Sequence, residues 1–210
     1  MINYFKVFFM IVFIVGCKYS QANTEEEYQL IGGQCEGCEA VFEFGNDELS
    51  PTDTLPDFFN STQKLKLSGK IFQPDGITPA SDVILYIYHT DEKGIYTTAD
   101  YESGWGKRHG YNRGWIKTGI DGQYTFYTIV PGSYPNRTQP AHIHPTILEP
   151  DGKYYWLDSY FFDGDPLLEN FNHISKNPRG GGSNIISLER EGDLMVGEQN
   201  IILRKNVPNK

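Results

Sequence analysis

The sequence predicts an all-β protein, with the strands packed as a β-sandwich. Aromatic residues make up 14% of the 210-residue chain, which also contains 22 glycines and 12 prolines. Aromatic side chains favour strands, and glycine and proline favour the turns that connect them. No long segment repeats its apolar residues with the 3.6-residue period of a helix. Short apolar runs separated by turn signals are typical of a sandwich of two sheets.

The strands are predicted from Lys64 onward. The first contains near-alternating apolar residues and ends before a Pro-Asp-Gly turn at 74–76. Further strands are predicted over residues 83–88, 115–118, 124–129, 142–148, 154–162, 185–188 and 201–203. The continuous apolar run 83–88 is expected to be covered on both faces. The Gly-Ile-Asp-Gly sequence at 119–122 predicts a hairpin between its two flanking strands.

The first residues predict an export signal. An apolar run follows Lys6 and is shorter than the roughly 20 residues that a membrane span needs. It ends in Ile-Val-Gly-Cys at 14–17, which resembles the bacterial lipobox. The resemblance implies cleavage before Cys17 and lipid attachment to its thiol. The alternatives are an ordinary signal peptide or a membrane anchor with an incidental cysteine.

The rest of the chain is expected to fall into three parts after the signal peptide of residues 1–16. These are a lipidated tether over 17–29, an irregular arm over 30–63 and the β-sandwich domain over 64–205. The arm contains Cys35 and Cys38 in a C-x-x-C pattern. Outside the cytoplasm this spacing favours a short-loop disulfide over a redox dithiol, and the chain has no second C-x-x-C to complete a four-cysteine zinc site.

The charge of the chain bears on its partners. The net charge is −9 and no basic cluster is present. Nucleic-acid phosphates are bound by clustered lysine and arginine side chains, so we expect no nucleic-acid partner.

The histidine pattern is the strongest indication of chemistry. His142 and His144 lie in Pro-Ala-His-Ile-His, and on a strand their side chains point to the same face. Tyr134 lies eight residues before His142, on a turn that prolines make rigid. A phenolate beside two imidazoles favours a hard, oxidised metal such as ferric iron. A surface stripe on an exposed strand would produce the same histidine spacing.

The sequence resembles the intradiol ring-cleavage dioxygenases, notably the β-chain branch of the protocatechuate 3,4-dioxygenases. The resemblance extends from about residue 65 to 203. It is carried by Pro-Gly-Ser-Tyr-Pro at 131–135, Pro-Ala-His-Ile-His at 140–144 and Tyr-Phe-Phe-Asp-Gly-Asp-Pro at 160–166. It implies a mononuclear non-haem Fe(III) held by two tyrosines and two histidines.

The ligands that the resemblance implies are His142, His144, Tyr134 and a tyrosine upstream. Tyr96, in a Gly-Ile-Tyr turn, is the candidate for the upstream position. Tyr101 and Tyr111 are the rivals, because the alignment loosens between Asp100 and Arg113. Tyr134 would also take up a proton from the arriving catechol.

Two outer positions depart from the family pattern. Gln139 stands where the family usually has arginine, and Ser159 stands where it tends to have glutamine. Such groups steady developing charge on the reacting oxygens, so their loss costs transition-state stabilisation. Arg137 would substitute for the missing cation only if it shared the face of Gln139 on a regular strand.

The resulting expectation is a ferric dioxygenase that uses O2 to open the ring of a catechol or related phenolic between its hydroxyl-bearing carbons. The alternative is an anchored binding module whose iron site is catalytically silent. Either protein would belong to the bacterial cell envelope, with a membrane as its partner through the lipid anchor. The sequence leaves open whether the chain forms a homo-oligomer.

Overall fold

The structure, a computed structural model, describes residues 28–208. The predicted signal peptide, Cys17 and most of the predicted tether lie outside the described residues. The strands are β1 (Gln29–Leu30), β2 (Thr52–Thr54), β3 (Lys64–Phe72), β4 (Ile84–His89), β5 (Arg113–Lys117), β6 (Gln123–Ile129), β7 (His142–Leu148), β8 (Lys153–Trp156), β9 (Tyr160–Phe162), β10 (Ile185–Ile186), β11 (Glu189–Glu191), β12 (Leu194–Glu198) and β13 (Ile201–Ile202). The single α-helix among these residues is α1 (Gly106–His109), and 3-10 helices span Cys38–Phe42, Pro56–Phe59 and Leu168–Asn170.

Within residues 28–208 the strands form two sheets, and the predicted all-β sandwich is confirmed. The first sheet has the order β1-β8-β7-β4-β5, with β9 beside β7 and β10 beside β9. The second has the order β11-β12-β3-β6-β2, with β13 beside β3. No helix in this part of the chain is long and apolar enough to cross a membrane.

The core between the sheets follows from strand alternation. Leu65 and Leu67 on β3 and Phe126 on β6 are fully buried, as are Leu85 on β4 and Ile143 on β7. Residues two apart on a strand face the same side, so each strand contributes one apolar row to this core.

The outer face of the first sheet is also covered. Tyr86 on β4 is fully buried and packs with Ala40, Val41 and Leu148 in a second apolar cluster. Ala40 and Val41 belong to the 3-10 helix Cys38–Phe42, which therefore lies over the sheet. The expectation that the run 83–88 is covered on both faces is confirmed, because Leu85 faces the inter-sheet core and Tyr86 faces this helix.

The segment 30–63, predicted as an irregular arm, holds 3-10 helices and strand β2. β2 pairs in parallel with β6, so this part of the segment belongs to the second sheet. An ion-pair cluster also ties the segment to the domain: Arg113 contacts Glu43 at 2.5 Å and Glu102 at 3.1 Å. Because these side chains are largely shielded from water, their attraction is less screened than that of a surface pair.

Three details of the strand prediction are wrong. The predicted hairpin at 119–122 does not form: β5 pairs with β4 in the first sheet, whereas β6 pairs with β3 in the second. The turn itself is present, with Gly122 N–H donating to the Gly119 carbonyl at 3.0 Å, but it carries the chain between sheets. The single strand predicted over 154–162 is split into β8 and β9. The prediction also missed β11 and β12, of which β11 is fully exposed and has no apolar row to reveal it.

Candidate metal centre

Strand β7 positions the two histidines. Ile143, between them, is buried in the inter-sheet core, so His142 and His144 point to the opposite, outer face of the first sheet. His142 is 5% exposed and faces Phe161 on β9, while His144 is half-buried and is paired in register with Tyr88 on β4.

Two loops bring the tyrosines to the same place. Gly94 approaches the Ser133–Tyr134 backbone so closely that a Cβ there would lie 1.9 Å from the Ser133 carbonyl oxygen. Its φ of 78° is likewise one that glycine adopts readily. A hydrogen bond also joins the two loops: Gly132 N–H donates to the backbone carbonyl of Asp91 at 2.9 Å. The two loops are therefore packed together with Tyr96 on one and Tyr134 on the other.

Four donor atoms meet as a result. The Tyr96 and Tyr134 hydroxyl oxygens lie 2.9 Å apart. The Tyr96 hydroxyl lies 3.0 Å from His144 Nε2, and the Tyr134 hydroxyl lies 3.2 Å from His142 Nε2. We call Tyr96, Tyr134, His142 and His144 the four-donor cluster. The structure thus brings together the four residues that the sequence predicts as metal ligands.

The rival tyrosines lie elsewhere. Tyr101 is 76% exposed, and the Tyr111 hydroxyl donates to the carboxylate of Asp57 at 3.1 Å. Of the three candidates for the upstream position, the structure places Tyr96 beside Tyr134 and His144.

Hydrogen bonding and burial prepare the donors. His142 Nδ1 lies 2.7 Å from the Pro140 carbonyl, which can only accept, so Nδ1 carries the proton and Nε2 presents its lone pair to the cluster. Burial lowers the pKa of His142 and lowers that of His144 further, which keeps both imidazoles neutral. Burial, together with the hydrogen bond between Tyr96 and Tyr134, raises the pKa of Tyr96 in the metal-free protein. A cation bound here would therefore displace phenol protons.

Sequence reasoning missed an aromatic stack behind His144. The Tyr88 ring lies parallel to the His144 ring at 4.6 Å and to the His109 ring at 3.7 Å. The Tyr86 hydroxyl lies 2.8 Å from His109 Nδ1. Alternation along β4 could have placed Tyr86 and Tyr88 on the histidine-bearing face, but no sequence signal connected His109 with them.

A cavity of about 590 Å³ borders the cluster. Its volume is in the range of small-molecule sites, roughly 300–1,000 Å³. His144, Tyr88, Gln139 and Ser159 line it, and the Ser159 hydroxyl lies 3.2 Å from His144 Nδ1. Both positions that depart from the family pattern therefore face this cavity.

Arg137 is placed differently. Residues 137–139 lie in the loop that follows the turn at 135–136 and not in a strand, and Arg137 has a φ of 52°, so the regular pleat that would align it with Gln139 is absent. Arg137 lines a second cavity, of about 580 Å³, together with Tyr134. Of Arg137 and Gln139, only Gln139 lines the first cavity together with His144.

The Gly-Asp-Pro segment supports the cluster from outside. Asp165 accepts a hydrogen bond from Ala141 N–H at 2.8 Å, immediately before His142. This contact holds the backbone at the start of β7, next to His142.

The donor set fits ferric iron. Two phenols and two imidazoles supply hard oxygen and borderline nitrogen donors, and phenolates would neutralise a trivalent cation in a buried site. Within residues 28–208, no group of three or more His, Cys, Asp and Glu side chains is placed to hold a metal. A metal at the two histidines would therefore depend on the tyrosines.

Comparisons with known proteins identify the class. The sequence matches the family described as Dioxygenase over residues 46–181, well over half of the chain. The chain belongs to the intradiol ring-cleavage dioxygenase family. The matched region begins at 46, within the segment predicted as an arm, where β2 joins the second sheet.

Particular relatives agree with this assignment. Over 140 residues the chain is 28% identical to catechol 1,2-dioxygenase 1 of Acinetobacter lwoffii, covering 59% of this chain and 43% of that protein. Over 181 residues it is 25% identical to the protocatechuate 3,4-dioxygenase beta chain of Burkholderia cepacia, covering 77% of this chain and 75% of the relative. The chain thus spans less than half of the first relative.

A solved structure shows the shared fold. It is the dioxygenase domain of a dioxygenase–carbohydrate-binding fusion from Streptomyces sp. SirexAA-E, with a TM-score of 0.56 and 22% identity. The superposition covers 77% of this chain and 95% of that domain.

Proposed function

We propose that this protein is a non-haem Fe(III) dioxygenase that opens the ring of a catechol between its hydroxyl-bearing carbons and incorporates both atoms of O2. The observation that carries the proposal is the convergence of the four-donor cluster. Its donor atoms form a row, His144–Tyr96–Tyr134–His142, in which neighbouring atoms lie 2.9 to 3.2 Å apart. The adjoining cavity of about 590 Å³ has room for an aromatic substrate.

The residues have distinct roles in this proposal. Tyr96, Tyr134, His142 and His144 would hold the ferric ion, which when bound would supply the charge that activates a catecholate toward O2. The Tyr134 oxygen, close to both Tyr96 and His142, is the proposed acceptor for a catechol proton. Gln139 is proposed to contribute a neutral hydrogen-bond donor to the reacting oxygens. Ser159 is proposed to orient the His144 ring through the contact of its hydroxyl with Nδ1.

The proposal is tested by loading the purified protein with iron and measuring bound metal, visible absorption and O2 uptake with catechol. We expect equimolar iron, a phenolate-to-iron absorption band and one O2 consumed per catechol. The product should be a ring-opened dicarboxylic acid labelled by both atoms of ¹⁸O2. Absence of iron binding would overturn the proposal.

A second candidate function is a binding module with a silent iron site. It is favoured by one observation: the outer groups beside the cavity, Gln139 and Ser159, carry no positive charge. Iron binding and a catechol-induced spectral change without O2 uptake would support this alternative.

The missing cation yields a prediction of its own. Gln139→Arg should raise kcat/KM for catechol about tenfold, because a cation near the developing oxyanion stabilises the transition state more than the ground state. The measurement is steady-state O2 uptake, with Gln139→Met as a control of similar size and no donor. A Gln139→Arg enzyme no faster than the parent would show that this position does not limit turnover.

A further inference from the structure

Part of the cavity lining comes from the segment that the sequence predicted as an irregular arm. Residues 34–38, which we call the disulfide loop, line the cavity together with residues of β7 and β9. Cys35 and Cys38 form a disulfide, with their Cα atoms 5.7 Å apart. The loop is therefore a short closed ring placed at the site.

Packing fixes the position of this loop relative to the four-donor cluster. Gly37 has a φ of 87°, and a Cβ there would lie 2.6 Å from His109 Nε2. His109 stacks on Tyr88, and Tyr88 stacks on His144. The rings of His109 and Tyr88 thus lie between the disulfide loop and His144, a proposed ligand. A side chain at position 37 would displace the loop from His109.

The carboxylates that line the cavity have no lysine or arginine beside them in the described part of the lining. Glu36, on the disulfide loop, and Asp158, between β8 and β9, are its acidic lining residues, and no lysine or arginine among the described residues lines it. Two arginines lie close to these acidic residues. Arg108 pairs with Glu36 at 2.5 Å on the surface, and Arg179 lies over the Trp156 ring at 3.4 Å. Neither arginine lines the cavity, although Asp158 accepts a hydrogen bond from the Arg179 backbone N–H at 2.7 Å.

We propose that the disulfide loop and Asp158 make this cavity selective for catechols with neutral or cationic ring substituents and against catechols that bear a carboxylate. The inference rests on the proposed function, since it concerns the substrate of the same site. No lysine or arginine among the described lining residues could serve as a counterion for a ring carboxylate, and the charges of Glu36 and Asp158 would oppose its binding. An ammonium substituent would be attracted by the same two groups.

The test compares catechol, 3,4-dihydroxybenzoate and dopamine on the iron-loaded protein. Dissociation constants come from the change in visible absorption without O2, and kcat/KM comes from O2 uptake. Assays at about pH 8, above the ordinary pKa of histidine, remove imidazolium charge as a variable. We expect catechol and dopamine to bind about tenfold more tightly than 3,4-dihydroxybenzoate, with the difference shrinking as salt is added.

Two variants connect the preference with its residues. Glu36→Gln combined with Asp158→Asn should reduce the preference at least about threefold, because both changes keep side-chain size and remove the two carboxylate charges. Glu191→Gln makes the same chemical change on the exposed strand β11 of the second sheet and should leave the preference unchanged.

The outcomes separate this inference from the proposed function. Equal binding of the three compounds by the parent protein, or an unaltered preference in the double variant, would overturn the inference even if catechol is cleaved. Absence of cleavage, together with charge-dependent binding, would overturn the proposed activity and support the cavity's selectivity.

Discussion

His142→Ala is expected to abolish iron uptake and the phenolate-to-iron absorption band. The His142 ring is 5% exposed, and its Nε2 lies 3.2 Å from the Tyr134 hydroxyl, so its loss removes one of four donors and leaves a space in a buried site. The imidazole of His144 and the two phenols would then have to bind a trivalent ion alone. The donor they would lack is His142 Nε2, which the hydrogen bond from His142 Nδ1 to the Pro140 carbonyl orients. The measurement is metal analysis of the variant after iron loading, together with its visible spectrum.

The control for this experiment is His173→Ala. His173 is an exposed imidazole outside the four-donor cluster, so this variant should take up iron as the parent does. A circular dichroism spectrum like that of the parent would show that His142→Ala is folded. Iron binding and colour retained in a folded His142→Ala protein would refute the ligand assignment.

The metal-free protein is expected to lose stability as the pH falls from about 6.5 toward about 4. Burial lowers the pKa of His89 to about 4. In the unfolded chain a histidine binds its proton near pH 6.5, so in this window the unfolded state binds more protons than the folded state. Stability therefore rises with pH across the window. The contribution of His89 is on the order of 3 kcal/mol.

The local structure explains why His89 stays neutral. Its Nδ1 lies 2.7 Å from the Thr90 carbonyl, which can only accept, so the ring carries its proton there. Its Nε2 lies 2.6 Å from the Thr128 hydroxyl, which completes the hydrogen bonding of a neutral imidazole. A second proton would bury a charge between the sheets with no carboxylate bonded to it.

Urea unfolding of the metal-free protein at a series of pH values measures this dependence. His89→Gln should lower the slope of the unfolding free energy against pH by up to about 1.4 kcal/mol per pH unit, the value for one proton. This expectation holds whatever the effect of the substitution on stability at neutral pH. His173→Gln makes the same substitution at an exposed imidazole and is the matched control. A slope in His89→Gln equal to that of the parent would assign the pH dependence to other groups.

Several features of the site could be predicted from the sequence because they depend on local geometry. Alternation along a strand places His142 and His144 on one face whatever the rest of the chain does. The prolines around Tyr134 and the Gly-Asp-Pro segment marked the family and hence the fold. The choice among three upstream tyrosines was open, because nothing local in residues 90–112 says which phenol turns toward β7.

The sequence by itself determined the all-β class, the histidine face and the family of this protein, since each depends on neighbours in the chain or on a motif. Tertiary structure decided which strands pair, as the turn at 119–122 shows: its hydrogen bond is local, but the sheet that each flanking strand joins depends on distant partners. It also decided that Tyr96 meets Tyr134, through the close approach of Gly94 to Ser133, and that the disulfide loop walls the cavity. These contacts join segments far apart in sequence, and packing against the completed sheets selects them.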